Sequence, residues 1–330
     1  MTRTSVRIRT LLAVAGVLTG LLGVSDGAFA QAFPDRPVHL TVGFPPGTGP
    51  DALARVVSQR WGELLKQSII VDNKPGAGGQ IATQAVAKSP ADGYNLLLAE
   101  AGSISIAPAA FSKLPYNAAR ELVGVTELAW ADFVLLVPAS SPYKSMTEMV
   151  KANTGKTNPL NFATFGAGSP GHFGAAEFAE QAGVKVEPIH YRSTGDAVSA
   201  IIAGDVSGAW VSTGVASAQI KGGRARALAT TARNRSPLMP DVPTTAEAGM
   251  AKLDFSAWLG VLAPAGTPQA VLDTLSQTLI QAVQSADVKQ KLVELGFSVT
   301  GTSRMETDRM LKAESVRWAA VVKATGFKGD

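Results

Sequence analysis

A short β-rich run, a turn rich in glycine and proline, and an amphipathic helix follow one another repeatedly from residue 38 to residue 99. Val38–Phe44 runs into Pro45-Pro46-Gly47-Thr48-Gly49-Pro50-Asp51, after which Leu53, Val56, Val57, Trp61, Leu64 and Leu65 recur at helical spacing. Ile69–Val71 precedes a turn holding Gly76, Gly78 and Gly79 and a small-residue helix over Ile81–Lys88. Asp92-Gly93 then leads into a third run, Tyr94–Ala99. Strands separated by helices pair in parallel, and a parallel sheet is covered on both faces.

The order restarts near residue 133. Phe133–Val137, Leu160–Phe165, Val184–Tyr191, Gly208–Val211 and Ala225–Thr230 read as strands of a second sheet, with Ala257–Ala263 beyond them. Ser145-Met146-Thr147-Glu148, Thr244-Thr245-Ala246-Glu247 and Ser303-Arg304-Met305-Glu306 have the pattern of capping boxes, the last opening a long helix through Trp318 to Val322. Thr267-Pro268 starts another helix, with Val271, Leu272, Leu275, Leu279 and Val283 apolar. The class is α/β. Two similar sheets, with the chain leaving the first and returning to it, suit two lobes around a cleft. Ligands of such sheets bind beyond the carboxyl ends of the strands, where helix N-termini point. Pro45–Asp51 and Gly166–Gly171 are therefore the segments to examine.

Arg3, Arg7 and Arg9 precede an apolar run, Leu11–Val24, and Ala28-Phe29-Ala30 closes it with small residues. This is the pattern of a secretory signal peptide, residues 1–30, cut before Gln31. The run is shorter than the ~20 residues of a spanning helix and is interrupted by Gly16, Gly20 and Gly23. With no twin arginine and no cysteine at the cut, the expectation is Sec export of a soluble, unlipidated protein to the periplasm. Lys and Arg number 30 against 26 Asp and Glu, and setting aside the four charges of the leader leaves a net of +2. With no dense basic tract, nothing marks a nucleic-acid partner. The complete lack of cysteine excludes disulfides, thiolate metal sites and cysteine catalysis.

Gly166-Ala167-Gly168-Ser169-Pro170-Gly171 fits G-x-G-x-x-G between a strand and a helix, with Glu187 on the next strand. That is the context of a dinucleotide fingerprint, and a secreted dinucleotide-dependent oxidoreductase is the alternative reading. Ser169-Pro170 reads better as an N-cap and first helical residue. The more general expectation is an anion site, built from N–H groups and a serine hydroxyl at a helix start. Pro45–Asp51 repeats the device on the first sheet, with Asp51 placed to cap the next helix. Position 167 is alanine, so Gly-x-Ser-x-Gly is absent, and His39, His172 and His190 form no recognisable triad. No His/Asp/Glu cluster has metal-ligand spacing, so neither metal nor cofactor is expected. Trp130, Trp210 and Trp258 lie near strand ends and read as core or as a cleft wall. Asp196 follows Ser193-Thr194-Gly195. It either caps the helix carrying Val198, Ile201 and Ile202 or turns its carboxylate into the cleft.

Several segments resemble a known family. Phe44-Pro45-Pro46-Gly47 with Asp51, Asn73–Gly79, and Ala91-Asp92-Gly93-Tyr94 with Leu96–Leu98 carry the likeness. So do Gly166–His172, Tyr191, Ala225–Thr230, Pro240–Thr244 with Glu247-Ala248-Gly249, Trp258–Gly260 with Ala263–Pro268, and Glu314 with Trp318. Together they resemble the extracytoplasmic receptors of tripartite tricarboxylate transporters, the Bug family. The resemblance implies a type II periplasmic binding protein of the Venus flytrap kind, two-lobed, with two crossover strands. Lobe 1 would be residues 33–131 plus 255–330 and lobe 2 residues 132–254. It implies a monomeric, non-enzymatic receptor that takes a small organic carboxylate for membrane transporter subunits, or for a membrane sensor. By the family pattern Pro46, Gly47, Thr48 and Gly49 would serve from lobe 1, and Gly168, Ser169 and His172 from lobe 2; Phe44, Asp51 and Ser103 of lobe 1 and Asp196 of lobe 2 are further candidates for the site. Thr48, Pro50, Pro170, Gly171 and Asp196 depart from that pattern. Pro50 removes an anion-binding donor, and Asp196 in the cleft would repel a further ligand carboxylate. Both favour a monocarboxylate, or an amino or heteroaromatic acid, over a citrate-like tricarboxylate.

Overall fold

The first three strand–helix units form as the sequence predicts: β1 (Val38–Val42), α1 (Gly49–Leu65), β2 (Ile69–Asn73), α2 (Gln80–Ala87) and β3 (Asn95–Glu100). The remainder comprises β4 (Leu122–Pro138), α3 (Met146–Asn153), β5 (Leu160–Thr164), α4 (Pro170–Ala182), β6 (Val186–His190), α5 (Thr194–Ala203), β7 (Gly208–Ser212), α6 (Thr213–Lys221) and β8 (Ala225–Thr230). The chain finishes with β9 (Ser256–Pro264), α7 (Gln269–Gln284), α8 (Ala286–Glu294), β10 (Phe297–Val299) and α9 (Arg304–Thr325). This computed structural model describes residues 33–191 and 194–329. They belong to two units, Met1–Asp35 and Arg36–Asp330, and all that follows concerns the second. The expected signal peptide lies outside the described residues.

The sheet runs β2-β1-β3-β9-β4-β7-β5-β6, with β8 and β10 also paired to β4. Its organising element is β4, a strand of 17 residues of which the sequence reading anticipated only the second part. From Leu122 to Asp132 it pairs antiparallel with β9, and from Phe133 onward with β7. The partners change between Asp132 and Phe133. The register with β9 shifts between Gly124 and Thr126 and again between Glu127 and Ala129. Such bulges bend and twist a long strand.

Strand directions follow from these pairings. β1, β2 and β3 are mutually parallel, and β9 lies antiparallel to both β3 and β4, so the first group runs in the direction of β4. β7 and β8 are antiparallel to β4, and β5 and β6 are parallel to β7. The carboxyl ends of both groups therefore point toward the partner change at Asp132. The helices that follow β1 and β5 start at those ends.

Most of the apolar residues that the sequence placed on helix faces are buried, while Val56, Leu64, Val198, Ile202 and Val271 at the stripe edges are half-buried. Leu53, Val57, Trp61 and Leu65 form the inner stripe of α1, and the Trp61 indole donates to Thr278 on α7 at 2.9 Å. One core cluster joins both groups of strands, from Val86 and Leu97 through Leu135 and Phe162 to Trp210 and Phe255. Gly174 lets α4 approach this core, since a β-carbon there would lie 2.1 Å from the Phe255 ring. Trp210 and Trp258 are buried, whereas the half-buried Trp130 donates to Glu127 at 2.6 Å.

The three capping motifs differ. Ser303 and Glu306 make the full reciprocal box at the start of α9. Ser145 accepts from the Glu148 N–H, but the Glu148 carboxylate takes the Lys144 N–H instead. Thr244 and Glu247 close their box at 3.1 and 2.7 Å, yet they cap only a turn. Gly249 enters φ +88° and the Thr245 hydroxyl bonds Leu253, which ends the turn before a helix can form.

Candidate functional site

The loop after β1 is braced by Asp51, which does not cap α1 as expected. The N-cap is Thr48, and Asp51 sits in the first turn, 3% exposed. Its carboxylate accepts the Gly47 N–H at 2.9 Å, the Asn73 amide at 2.9 Å and the Arg55 guanidinium at 2.9–3.0 Å. Asn73 also donates to the Phe44 carbonyl at 3.0 Å. Burial alone raises the pKa of Asp51, but Arg55, Gly47 and Asn73 together outweigh it and hold the carboxyl below its ordinary value. The Thr48 hydroxyl donates to the Pro45 carbonyl at 2.8 Å. Gly47 and Thr48 thus direct their hydrogen bonds into the loop, and Asp51 ties the loop to Arg55 of α1 and Asn73 of β2. With Pro50 lacking a donor, the N–H groups of Gly49 and Asp51 remain without an intrahelical partner at this helix start.

The loop after β5 is organised by its own residues in the same way. Ser169 is the N-cap of α4, as expected, and its Oγ accepts the His172 N–H at 3.3 Å. Its own proton goes to the Gly166 carbonyl at 2.8 Å. The Gly168 N–H donates to Nδ1 of His172 at 3.0 Å, so the proton of the neutral ring sits on Nε2. Burial, reinforced by neighbouring His190, lowers the pKa of His172 to about 4. The rings of His172 and His190 meet edge-on at 4.8 Å, and His190 is held by Thr164 at 2.6 Å. The serine hydroxyl and the Gly168 amide, two of the donors foreseen for an anion, are therefore engaged internally. The Gly171 N–H has no intrahelical partner, and His172 offers Nε2–H.

Of the other foreseen residues, Phe44 and Pro46 belong to the first loop, whereas Ser103 and Asp196 lie on the elements that follow β3 and β6. Ser103 is buried in a π-helical turn, Gly102–Ile106, where its carbonyl accepts the Tyr116 hydroxyl at 2.6 Å. Asp196 is exposed in the first turn of α5; of the turn before it, Ser193 lies outside the described residues. Pro46 is exposed and Phe44 half-buried on the first loop. His39 pairs with Asp72 on β2, at 2.7 Å.

Three features escaped the sequence reading. Glu100 ends β3 with its carboxylate on the Ser103 N–H at 3.2 Å, and burial raises its pKa to about 7. A cavity of about 730 Å³ lies at the partner change of β4, lined by Trp130, Asp132, Thr213, Arg233, Ser256 and Phe297, among others. Asp132 accepts Ser256 and Ser298 hydroxyls there at 2.9 and 2.8 Å, and burial raises its pKa. Phe297 connects this cavity to the first loop, its ring 3.5 Å from the β-carbon position of Gly49. The third is Phe327, which packs on His172. Among the described residues no group of three or more His, Asp or Glu is placed to hold a metal ion, and no helix is long and apolar enough to cross a membrane.

Residues 53–327 match the family described as tripartite tricarboxylate transporter family receptor. The chain is similar to a UPF0065 protein from the tcbD-tcbE intergenic region of a Pseudomonas species, 35% identical over 293 residues that cover 88% of this chain and 87% of that one. It is 31% identical to BugT of Bordetella pertussis over 319 residues, covering 96% and 98% of the two chains. Among solved structures, an R. palustris protein with adipate aligns at TM-score 0.83 and 29% identity, covering 90% of this chain and 99% of that one. MatC from Rhodopseudomonas palustris with bound malate aligns at 0.78 and 30%, covering 88% and 100%. The periplasmic binding protein BugD aligns at 0.79 and 27%, covering 90% and 99%. The mixed α/β fold expected from the sequence is the periplasmic-binding-protein fold these structures share.

Proposed function

The chain belongs to the tripartite tricarboxylate transporter receptor family, a family of periplasmic solute-binding proteins, and from that premise we propose that it captures a small organic carboxylate between two lobes. The lobes are residues 33–131 plus 255–330 and residues 132–254, which exchange strands at β4. The observation that carries the reading is the opposed direction of the two strand groups, which turns the starts of α1 and α4 toward the same junction. N–H groups at a helix start and the helix dipole favour an anion there by up to ~2 kcal/mol in a partly buried site. The Gly171 N–H and His172 Nε2–H serve from one side and the Gly49 N–H from the other. None of these donors carries a formal charge, which suits reversible capture.

Structural relatives with adipate and with malate support the ligand class. Capture closes the lobes as rigid bodies, and the closed receptor delivers its ligand to the transporter subunits. Asp196 at the start of α5 and Pro50 in α1 set the charge limit of the ligand, disfavouring a trianion. Calorimetry of the mature protein with malate, adipate, succinate, glutamate, nicotinate and citrate tests the reading. Saturable binding of at least one of the first five, with citrate weaker and improved by Asp196→Asn, is expected. Tight citrate binding indifferent to that substitution refutes the charge limit, and no binding across the panel refutes the ligand class.

A further inference from the structure

The C-terminal tail crosses from one group of strands to the other. α9 packs Trp318 and Val322 against Ile106 and Ala110, which lie between β3 and β4, and against Phe173 of α4. Gly326 then ends the helix at φ +66°, and the tail turns back on itself. Two contacts hold it to the short helix Ala107–Ala110. The Gly329 N–H donates to the Ala110 carbonyl at 2.8 Å, and Gly329 lies so close to the Phe111 ring that a β-carbon there would sit 2.4 Å from it. Between these anchors Phe327 turns its ring onto the start of α4. It meets the His172 ring edge-on at 5.2 Å and the Phe173 ring edge-on at 5.6 Å, and lies 3.3 Å from the β-carbon position of Gly168.

The imidazole of His172 is thereby fixed on three sides. His190 stands against one side, the Gly168 N–H holds Nδ1, and Phe327 stands against another. Gly168 itself is at φ +76°, a conformation that a larger residue would strain, and its missing side chain leaves the space that Phe327 occupies. Edge-on aromatic pairs contribute beyond their buried area, and here two of them converge on one ring. We infer that the C-terminal tail is a strap and Phe327 a positioning residue: it aims the Nε2–H of His172 while being anchored beside β3, so the donor on α4 is aimed by a residue held on the opposite side of the junction. The consequence is a link between lobe closure and the binding donor. An opening motion that carries α4 away from the Ala107–Ala110 helix withdraws Phe327 and releases the ring.

The inference rests on the carboxylate-capture reading for its effect on affinity, but not for its effect on His172. The experiment uses the full mature chain with Phe327→Ala, Phe327→Tyr and Phe327→Leu, the last retaining apolar volume in case the alanine variant folds poorly. Long-range proton–nitrogen NMR reads the tautomer and titration of His172, and calorimetry reads malate and adipate affinity. In Phe327→Ala the ring should lose its single tautomer and titrate nearer 6.5 than the wild-type value of about 4. Affinity should fall about two- to tenfold, the range expected for losing an aromatic pair. Phe327→Tyr should restore both, and Phe327→Leu should fall between. An unchanged His172 tautomer and titration in both Phe327→Ala and Phe327→Leu overturns the strap. If neither ligand binds wild type, the capture of these acids fails as a reading, and the His172 signals still decide the role of Phe327.

Discussion

Replacing His172 with asparagine should remove a defined part of the acid sensitivity of the fold. The folded protein keeps this ring neutral to about 4, whereas in the unfolded chain it takes up a proton near 6.5. Between those values the unfolded state binds the proton and the folded state does not, so stability falls as pH falls. The contribution is fully present above 6.5 and lost by about 4. At about 1.4 kcal/mol for each pH unit, the loss across that window is at most about 3.5 kcal/mol, and solvent screening of the half-buried ring lowers it to about 3 kcal/mol. Asparagine retains a carbonyl oxygen able to accept the Gly168 N–H but cannot titrate. Urea denaturation of both proteins from pH 7.5 to 4 reads the effect as the difference between two curves. Glu100 pulls in the opposite direction, its raised pKa of about 7 adding stability as pH falls. It is present in both proteins and cancels in the difference. Wild type should lose about 3 kcal/mol more than His172→Asn. Parallel curves would mean that His172 is charged or solvated in the folded state, and its role as a neutral Nε2 donor would fall.

Asp51→Asn should cost about 2–3 kcal/mol at pH 7, because the Gly47 and Asn73 donors and Arg55 lose the buried anion they share. The carboxyl's pKa is lowered on folding, so its stabilisation is present above 3.8 and lost as pH falls below it; a variant as stable as wild type would show that Asp51 does not brace the loop. Glu100→Gln should be more stable than wild type above pH 7 and should lack the gain that wild type shows between pH 7 and 4.5, as followed by thermal melting; equal melting profiles would place that carboxyl in water. Gly174→Ala drives a methyl group into the Phe255 ring and should lower stability by about 1–3 kcal/mol or more, whereas a neutral result in denaturant titration would contradict the close approach of α4.

The alternation of strands and helices was legible because each segment carries its own signal. The apolar stripe of α1, the cap at Ser169 and the capping box at Ser303 are local patterns. The first part of β4 was not legible. Its bulges interrupt the alternation of inward and outward residues, and Gly124 and Glu127 break the apolar run. β10, with three residues, is too short to leave a pattern. Both glycine-rich loops were legible as helix starts, but the hydrogen bonds their residues make within and beyond the turns were not. Aspartate is suited both to an N-cap and to the first turn, and only Asn73 and Arg55 show which role Asp51 takes. The hydroxyl of Ser169 looked available for a ligand until the turn brought the Gly166 carbonyl to it. Glu100, an acid closing the apolar run Leu96–Ala99, was the one missed residue with a visible signal. Phe327 had none, because its partners are distant in the chain and the contact exists only once α9 has packed.

The proposed cradle for a ligand carboxylate is formed by the starts of α1 and α4. A crystal structure of the mature protein with whichever acid of the panel binds tightest tests it most directly. Carboxylate oxygens should lie within about 3 Å of the Gly171 nitrogen and of His172 Nε2, with the Gly49 end of α1 closing over the same group. A ligand seated in the cavity beside Asp132 and Arg233 without touching either helix start would contradict it.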